Sequence, residues 1–140
     1  MFKYCLRLLT KQSKMYTLPQ EIEVWYVIPA IRRELSSLLT RKYGLSYNKA
    51  GEVLGVSKAA ISQYNKNKRA SKVTLHDKVI KEIERTAKIM ARDKSKTVQE
   101  ILKVLKFMRD KKLSFEFCKG GRHNHEDCQE VMVAYEKYWK

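Results

Sequence analysis

From Leu45 to Tyr64 the chain reads Leu-Ser-Tyr-Asn-Lys-Ala-Gly-Glu-Val-Leu-Gly-Val-Ser-Lys-Ala-Ala-Ile-Ser-Gln-Tyr, and this stretch limits the fold more than any other. Its punctuation fits two short helices with a tight turn between them. Leu45, Ala50, Val53 and Leu54 give the first helix its apolar side, and Gly55-Val56 can bend the chain because glycine enters φ > 0 without a Cβ clash. Ser57 then starts the second helix, its hydroxyl able to accept from a free N–H of the first turn, while Ile61 and Tyr64 return to the buried side. The opposite side carries Lys58, Ala59, Ser62, Gln63 and Lys66, which are small or bear donors. Such a face suits a helix that enters a major groove and meets base edges.

This is the pattern of a helix-turn-helix. Leu45-Ser46, Ala50, Leu54-Gly55-Val56-Ser57, Ile61-Ser62 and Tyr64, followed by the basic Lys66-Asn67-Lys68-Arg69, resemble the phage-repressor and Cro class, the XRE-like regulators. The longer string from Glu21 through Ile28-Pro29-Ala30-Ile31-Arg32-Arg33-Glu34-Leu35 to Lys58-Ala59-Ala60 is similar to small archaeal regulators that carry the motif, and the likeness spans Met15 to Arg69. One departure is Gly51, since glycine inside a helix costs about 1 kcal/mol against alanine unless a close approach offsets it. The resemblance implies an all-α, repressor/Cro-like domain that binds double-stranded DNA through a recognition helix at 57–66. Lys58, Ala59, Ser62 and Gln63 would face base edges, Gln63 pairing with adenine and Ala59 touching a thymine methyl. Tyr47, Lys49, Lys66, Lys68 and Arg69 would face phosphate. One recognition helix reads few base pairs, so a homodimer on paired half-sites is expected.

Charge agrees with a polyanionic partner. Thirty Lys and Arg against 15 Asp and Glu give +15 over 140 residues. The excess concentrates around the motif, where Arg41, Lys42, Lys49, Lys58, Lys66, Lys68, Arg69 and Lys72 meet a single acid, Glu52. No run of 18 apolar residues exists to span a membrane, and the apolar patch within 1–14 is short and broken by Arg7. Residues 1–14 therefore read as a loose N-terminal extension, or translation starts at Met15. Three cysteines, an odd number, argue against a secreted disulfide scaffold and for the cytoplasm.

The rest divides into a helix-turn-helix domain at 15–72 and a helical dimerisation or regulatory region at 73–140. A helix should open near Leu18-Pro19 with Glu21 and Glu23 favouring its dipole, and Pro29 should break or kink it near Val27–Ile28. A second helix runs from about Ala30 to Lys42 with Ile31, Leu35, Leu38 and Leu39 inward, and Gly44 ends it. Trp25 and Tyr26 read as core or dimer contacts; Arg32 and Arg33 read as phosphate contacts or solvated surface. Ala70 to Val73 forms a polar connector, and Thr74 with Asp77 looks like a capping pair. The following helices, about Leu75 to Arg92 and from Thr97, carry the stripes Leu75, Val79, Ile83, Ala87, Met90 and Val98, Ile101, Leu102, Leu105, Met108. These complete the core or pair two copies. A last helix is expected at about Asp127 to Trp139.

One constellation could hold a metal. Cys118, His123, His125 and Cys128 gather two thiols and two imidazoles within the loop 118–128, all of them ligands that zinc or another late transition metal accepts. The spacing is not that of a zinc finger, and a buried thiol pair or a disulfide fits the same residues. Catalysis is not expected, because a zinc deaminase needs His-x-Glu followed by Pro-Cys-x-x-Cys, and neither a phosphate-cradling glycine loop nor a nucleophile elbow is present. The sequence thus reads as a DNA-binding transcriptional regulator. Its alternatives are an architectural or antitoxin-type DNA-binding module and a metal-dependent nucleic-acid-modifying enzyme built on the 118–128 loop.

Overall fold

In the computed structural model the described residues are 19–70 and 73–111, with the backbone of 116–117. They are mostly helical. A right-handed helical path runs from Pro19 to Lys42 as α1 (Pro19–Ile22), a π turn (Glu23–Val27), α2 (Ile28–Ser37) and a second π turn (Leu38–Lys42). Then follow α3 (Tyr47–Leu54), α4 (Lys58–Asn65), a short strand β1 (Val73–Thr74), α5 (Asp77–Arg92), a 3₁₀ turn (Lys94–Lys96), α6 (Thr97–Asp110) and β2 (Glu116–Phe117).

Of the break or kink expected near Val27–Ile28, no break occurs, and the distortion takes the form of a wide turn that ends at Val27. Val27 keeps helical angles (φ −77°, ψ −51°), and the wide turn Glu23–Val27 lies where the proline ring would meet the carbonyl of Trp25 one turn back. The wide turns also serve the core. Val27, Ile31, Leu35 and Leu39 are fully buried and recur every four residues, more slowly than the ~3.6 of an ideal helix. Two i→i+5 turns absorb the drift that would otherwise rotate this stripe away from the interior.

A single apolar cluster joins Val27, Ile31, Leu35 and Leu39 to Ala50 and Leu54 of α3, Ile61 of α4, and Val79, Ile83, Ala87, Met90, Val104, Leu105 and Met108 of α5 and α6. It therefore draws on both sides of the boundary placed at residue 72. α2 is the common support, packed against α4 on one side and α5 on the other, while α5 and α6 pair along their length. Glu23, expected only to favour a helix dipole, is buried and accepts two bonds from Arg109 of α6, Nε to Oε1 at 2.9 Å and Nη2 to Oε2 at 2.7 Å. This pair fastens the first π turn to the end of α6.

Three other expectations change around α5 and α6. The cap of α5 is His76, whose Nδ1 accepts from Lys78 N at 3.2 Å, rather than a Thr74–Asp77 pair. Val73 is a buried core residue on β1, which pairs antiparallel with β2 in the register Val73 with Phe117 and Thr74 with Glu116, so the stretch is more than a polar connector. On α6 the buried positions are Thr97, Glu100, Val104, Leu105 and Met108, while Val98 is 71% and Leu102 57% exposed. Leu105 and Met108 of the expected stripe are buried and Ile101 packs on the core, but at the start of the helix the buried side is turned away from Val98 and Leu102. A step of about 100° per residue is too fine for apolar spacing alone to fix. Glu100, drawn inside by this rotation, keeps Oε1 on Lys103 Nζ at 2.6 Å. Trp25, read as core or dimer contact, is 41% exposed, whereas Tyr26 packs on the core. Among the described residues no helix is long and apolar enough to cross a membrane.

Candidate nucleic-acid interface

The two short helices follow the sequence closely in their local chemistry. Ser46 caps α3, its side chain accepting from Lys49 N at 3.2 Å, and Ser57 caps α4, accepting from Ala60 N at 3.1 Å. Between them Gly55 stands at φ +69°, the left-handed angle that ends a helix at low cost in glycine. Gly51 has a different reason to be glycine. A Cβ there would lie 2.6 Å from the carbonyl oxygen of Val56, so α3 can accept this turn only without a side chain at that position. The close approach that offsets the helical cost is thus to the turn itself rather than to the body of α4.

α4 divides cleanly into two sides. Ala60, Ile61 and Tyr64 are buried; Lys58, Ala59 and Gln63 are exposed, and Ser62 is half-buried between them. The four residues expected to meet base edges therefore share one side of α4. Of those expected at phosphate, Lys49, Lys66, Lys68 and Arg69 are exposed and Tyr47 is 36% exposed. Tyr47 and Lys49 stand in the first turn of α3; the other three follow α4. Arg69 has a second engagement, its guanidinium lying 5.4 Å from the ring centroid of Tyr64. The loop bearing these cations holds two non-glycine residues at positive φ, Asn67 at 57° and Ala70 at 58°.

What anchors α4 to the rest of the molecule was not apparent from the apolar pattern. Ser36 Oγ donates to Asn65 Oδ1 at 3.1 Å, Asn65 Nδ2 donates to Thr40 Oγ1 at 3.0 Å, and Thr40 Oγ1 donates to the Ser36 carbonyl at 2.8 Å. Arg41 Nη2 donates to the carbonyl of Asn65 at 3.3 Å. Farther back, Arg33 Nη1 donates to the carbonyls of Ala70 and, at 2.9 Å, Val73, while its side chain also pairs with Glu34. Arg33 is thus neither a solvated residue nor free to meet phosphate: it holds down the chain that follows the basic loop. The available signal was polar residues at 33, 36 and 40, set at helical spacing beside the stripe Ile31, Leu35, Leu39.

Cys118, His123, His125 and Cys128 lie outside the described residues, as do the 1–14 extension and the helix expected at 127–139. Among the described residues no cluster of three or more His, Cys, Asp or Glu side chains could hold a metal ion. In comparisons with known proteins, no family model, no curated protein and no solved structure matches this chain.

Proposed function

We propose that the chain is a sequence-specific DNA-binding transcriptional regulator of the repressor/Cro-like helix-turn-helix type, acting as a homodimer with α4 in the major groove. The observation that carries this reading is the division of α4 into a buried side and an exposed side. The exposed side combines Lys58, Ala59 and Gln63 with the half-buried Ser62 and runs directly into Lys66, Lys68 and Arg69. Amide, hydroxyl and ammonium donors beside a methyl group can discriminate bases, and a cationic strip at the end of the helix supplies the sequence-independent attraction of phosphate. The net charge of +15 adds to that attraction at long range.

Selection of bound duplexes from a random pool tests the reading. A two-fold symmetric site is expected, with half-sites about one helical turn apart. Gln63→Ala should then relax preference at one position by about 1–3 kcal/mol, whereas Lys68→Ala should weaken all duplexes alike and lower the salt slope by about 1. Enrichment of no sequence, with strong salt-dependent binding retained, would favour the architectural module instead.

A further inference from the structure

We infer that Asn65 is a positioning residue for base reading: through Ser36 and Thr40 it fixes the rotation and tilt at which α4 presents Lys58, Ala59, Ser62 and Gln63. The inference rests on the function proposed above and adds a determinant that touches no base.

The apolar anchors of α4 leave a degree of freedom. Ala60, Ile61 and Tyr64 hold its inner side, but packing is non-directional, and a helix of eight residues, Lys58–Asn65, seated on three side chains can roll or tilt at small cost in buried area. Hydrogen bonds are directional. Asn65 uses both ends of its amide against the supporting helix, Oδ1 receiving Ser36 Oγ and Nδ2 giving to Thr40 Oγ1. Both partners are themselves constrained. Ser36 is fully buried on α2, and Thr40 is tied back to the Ser36 carbonyl within the second π turn. That wide turn also carries Arg41, which holds the Asn65 carbonyl from outside, so side chain and main chain of the same residue are gripped from one support.

The placement of the grip gives it leverage. Asn65 is the last residue of α4, and Gln63 stands only two residues before it; Lys66 and Lys68 follow at once. An error of rotation at Asn65 therefore moves the side chain that meets base edges together with the loop that meets phosphate. Base contacts need the bidentate geometry that a small roll destroys, whereas contacts of flexible lysines with phosphate tolerate it. Loss of the grip should lower discrimination and spare general affinity.

The experiment compares affinity for the selected duplex and for random duplex in wild type, Asn65→Ala, Thr40→Val and Thr40→Ser, well below each protein's melting temperature and across a salt series. Asn65→Ala and Thr40→Val should each lower the specific-to-random affinity ratio about tenfold, the worth of one well-placed base contact, with random-duplex affinity and salt slope unchanged. Thr40→Ser, which keeps the hydroxyl, should retain the wild-type ratio, and Asn65→Ala placed on Thr40→Val should add little. A folded Asn65→Ala protein with lowered melting temperature and the wild-type ratio would overturn the inference and leave the proposed function standing. A wild type that discriminates no sequence would overturn both.

Discussion

The α3–α4 pair and the α5–α6 hairpin hold their shapes by different means. α3 and α4 are eight residues each, rich in small and polar side chains, and are fixed by directional contacts: two serine caps, one left-handed glycine, a glycine against a carbonyl, and an asparagine gripped from α2 and the turn after it. α5 and α6 run to 16 and 14 residues and are held mainly by Val79, Ile83, Ala87, Met90, Val104, Leu105 and Met108. Helices whose side chains are small and polar have little apolar area to bury and so draw their order from directional bonds. Longer helices with a continuous apolar side can rely on buried area.

Truncation in the hairpin should produce the largest loss. Ile83→Ala, at a fully buried site, is expected to cost about 2–5 kcal/mol in denaturant unfolding, while Val98→Ala on the exposed side of α6 stays within about 0.5 kcal/mol of wild type. Equal losses at the two sites would mean that the rotation of α6 described above is wrong. In the α3–α4 pair the sensitive site gains atoms instead of losing them. Gly51→Ala should destabilise by about 1–3 kcal/mol, because overpacking against the Val56 carbonyl outweighs the better helix propensity of alanine. A rise in stability would remove the close approach of α3 to its turn.

The loop after α4 offers a smaller change of opposite sign. Ala70 sits at φ +58°, where an L-residue carries a penalty of about 1–2 kcal/mol. Ala70→Gly relieves it at some entropic cost, for a net gain of about 0.5–1 kcal/mol in thermal unfolding. The smallest effect belongs to the turn joining α5 and α6. The side-chain hydroxyl of Ser95, then its backbone N–H, donate to Asp93 and hold its carboxyl below the usual carboxylate range. A lowered value in the folded chain means that the folded state binds fewer protons. The contribution is present above the unfolded value and is lost as pH falls through the folded one. Asp93→Asn should therefore lower stability slightly at neutral pH and converge on wild type in acid, flattening the acid limb of a stability-versus-pH curve.

How far the sequence could be read differs between the two regions for the same reason. Ser46, Gly51, Gly55 and Ser57 act within a few residues of themselves, so the two helices, the Ser57 cap, the glycine turn and the exposed side of α4 were legible before any tertiary contact was known, while the equally local Ser46 cap was not read. The mostly helical character was legible as well. On α6 the spacing pointed to Val98, Ile101, Leu102, Leu105 and Met108; Leu105 and Met108 are buried, but Glu100 and Val104 take the places of Val98 and Leu102, a choice made by packing on distant elements against the local apolar content. Pro29 marked the place of a distortion but not its form: its steric demand is local, and the π turn that meets it also keeps the stripe from Val27 onward on the core.

The sequence by itself determined the two capped helices, the turn between them and the cationic residues around them, because bonds from serine to a nearby N–H and glycine's freedom at positive φ depend on almost nothing distant. The tertiary structure alone decided which side of α6 is buried, that Glu23 meets Arg109 across 86 residues, and that Asn65 is gripped by Ser36 and Thr40. These are matches between surfaces far apart in the chain. No window of residues contains both partners, and only the packed molecule brings them within hydrogen-bonding distance.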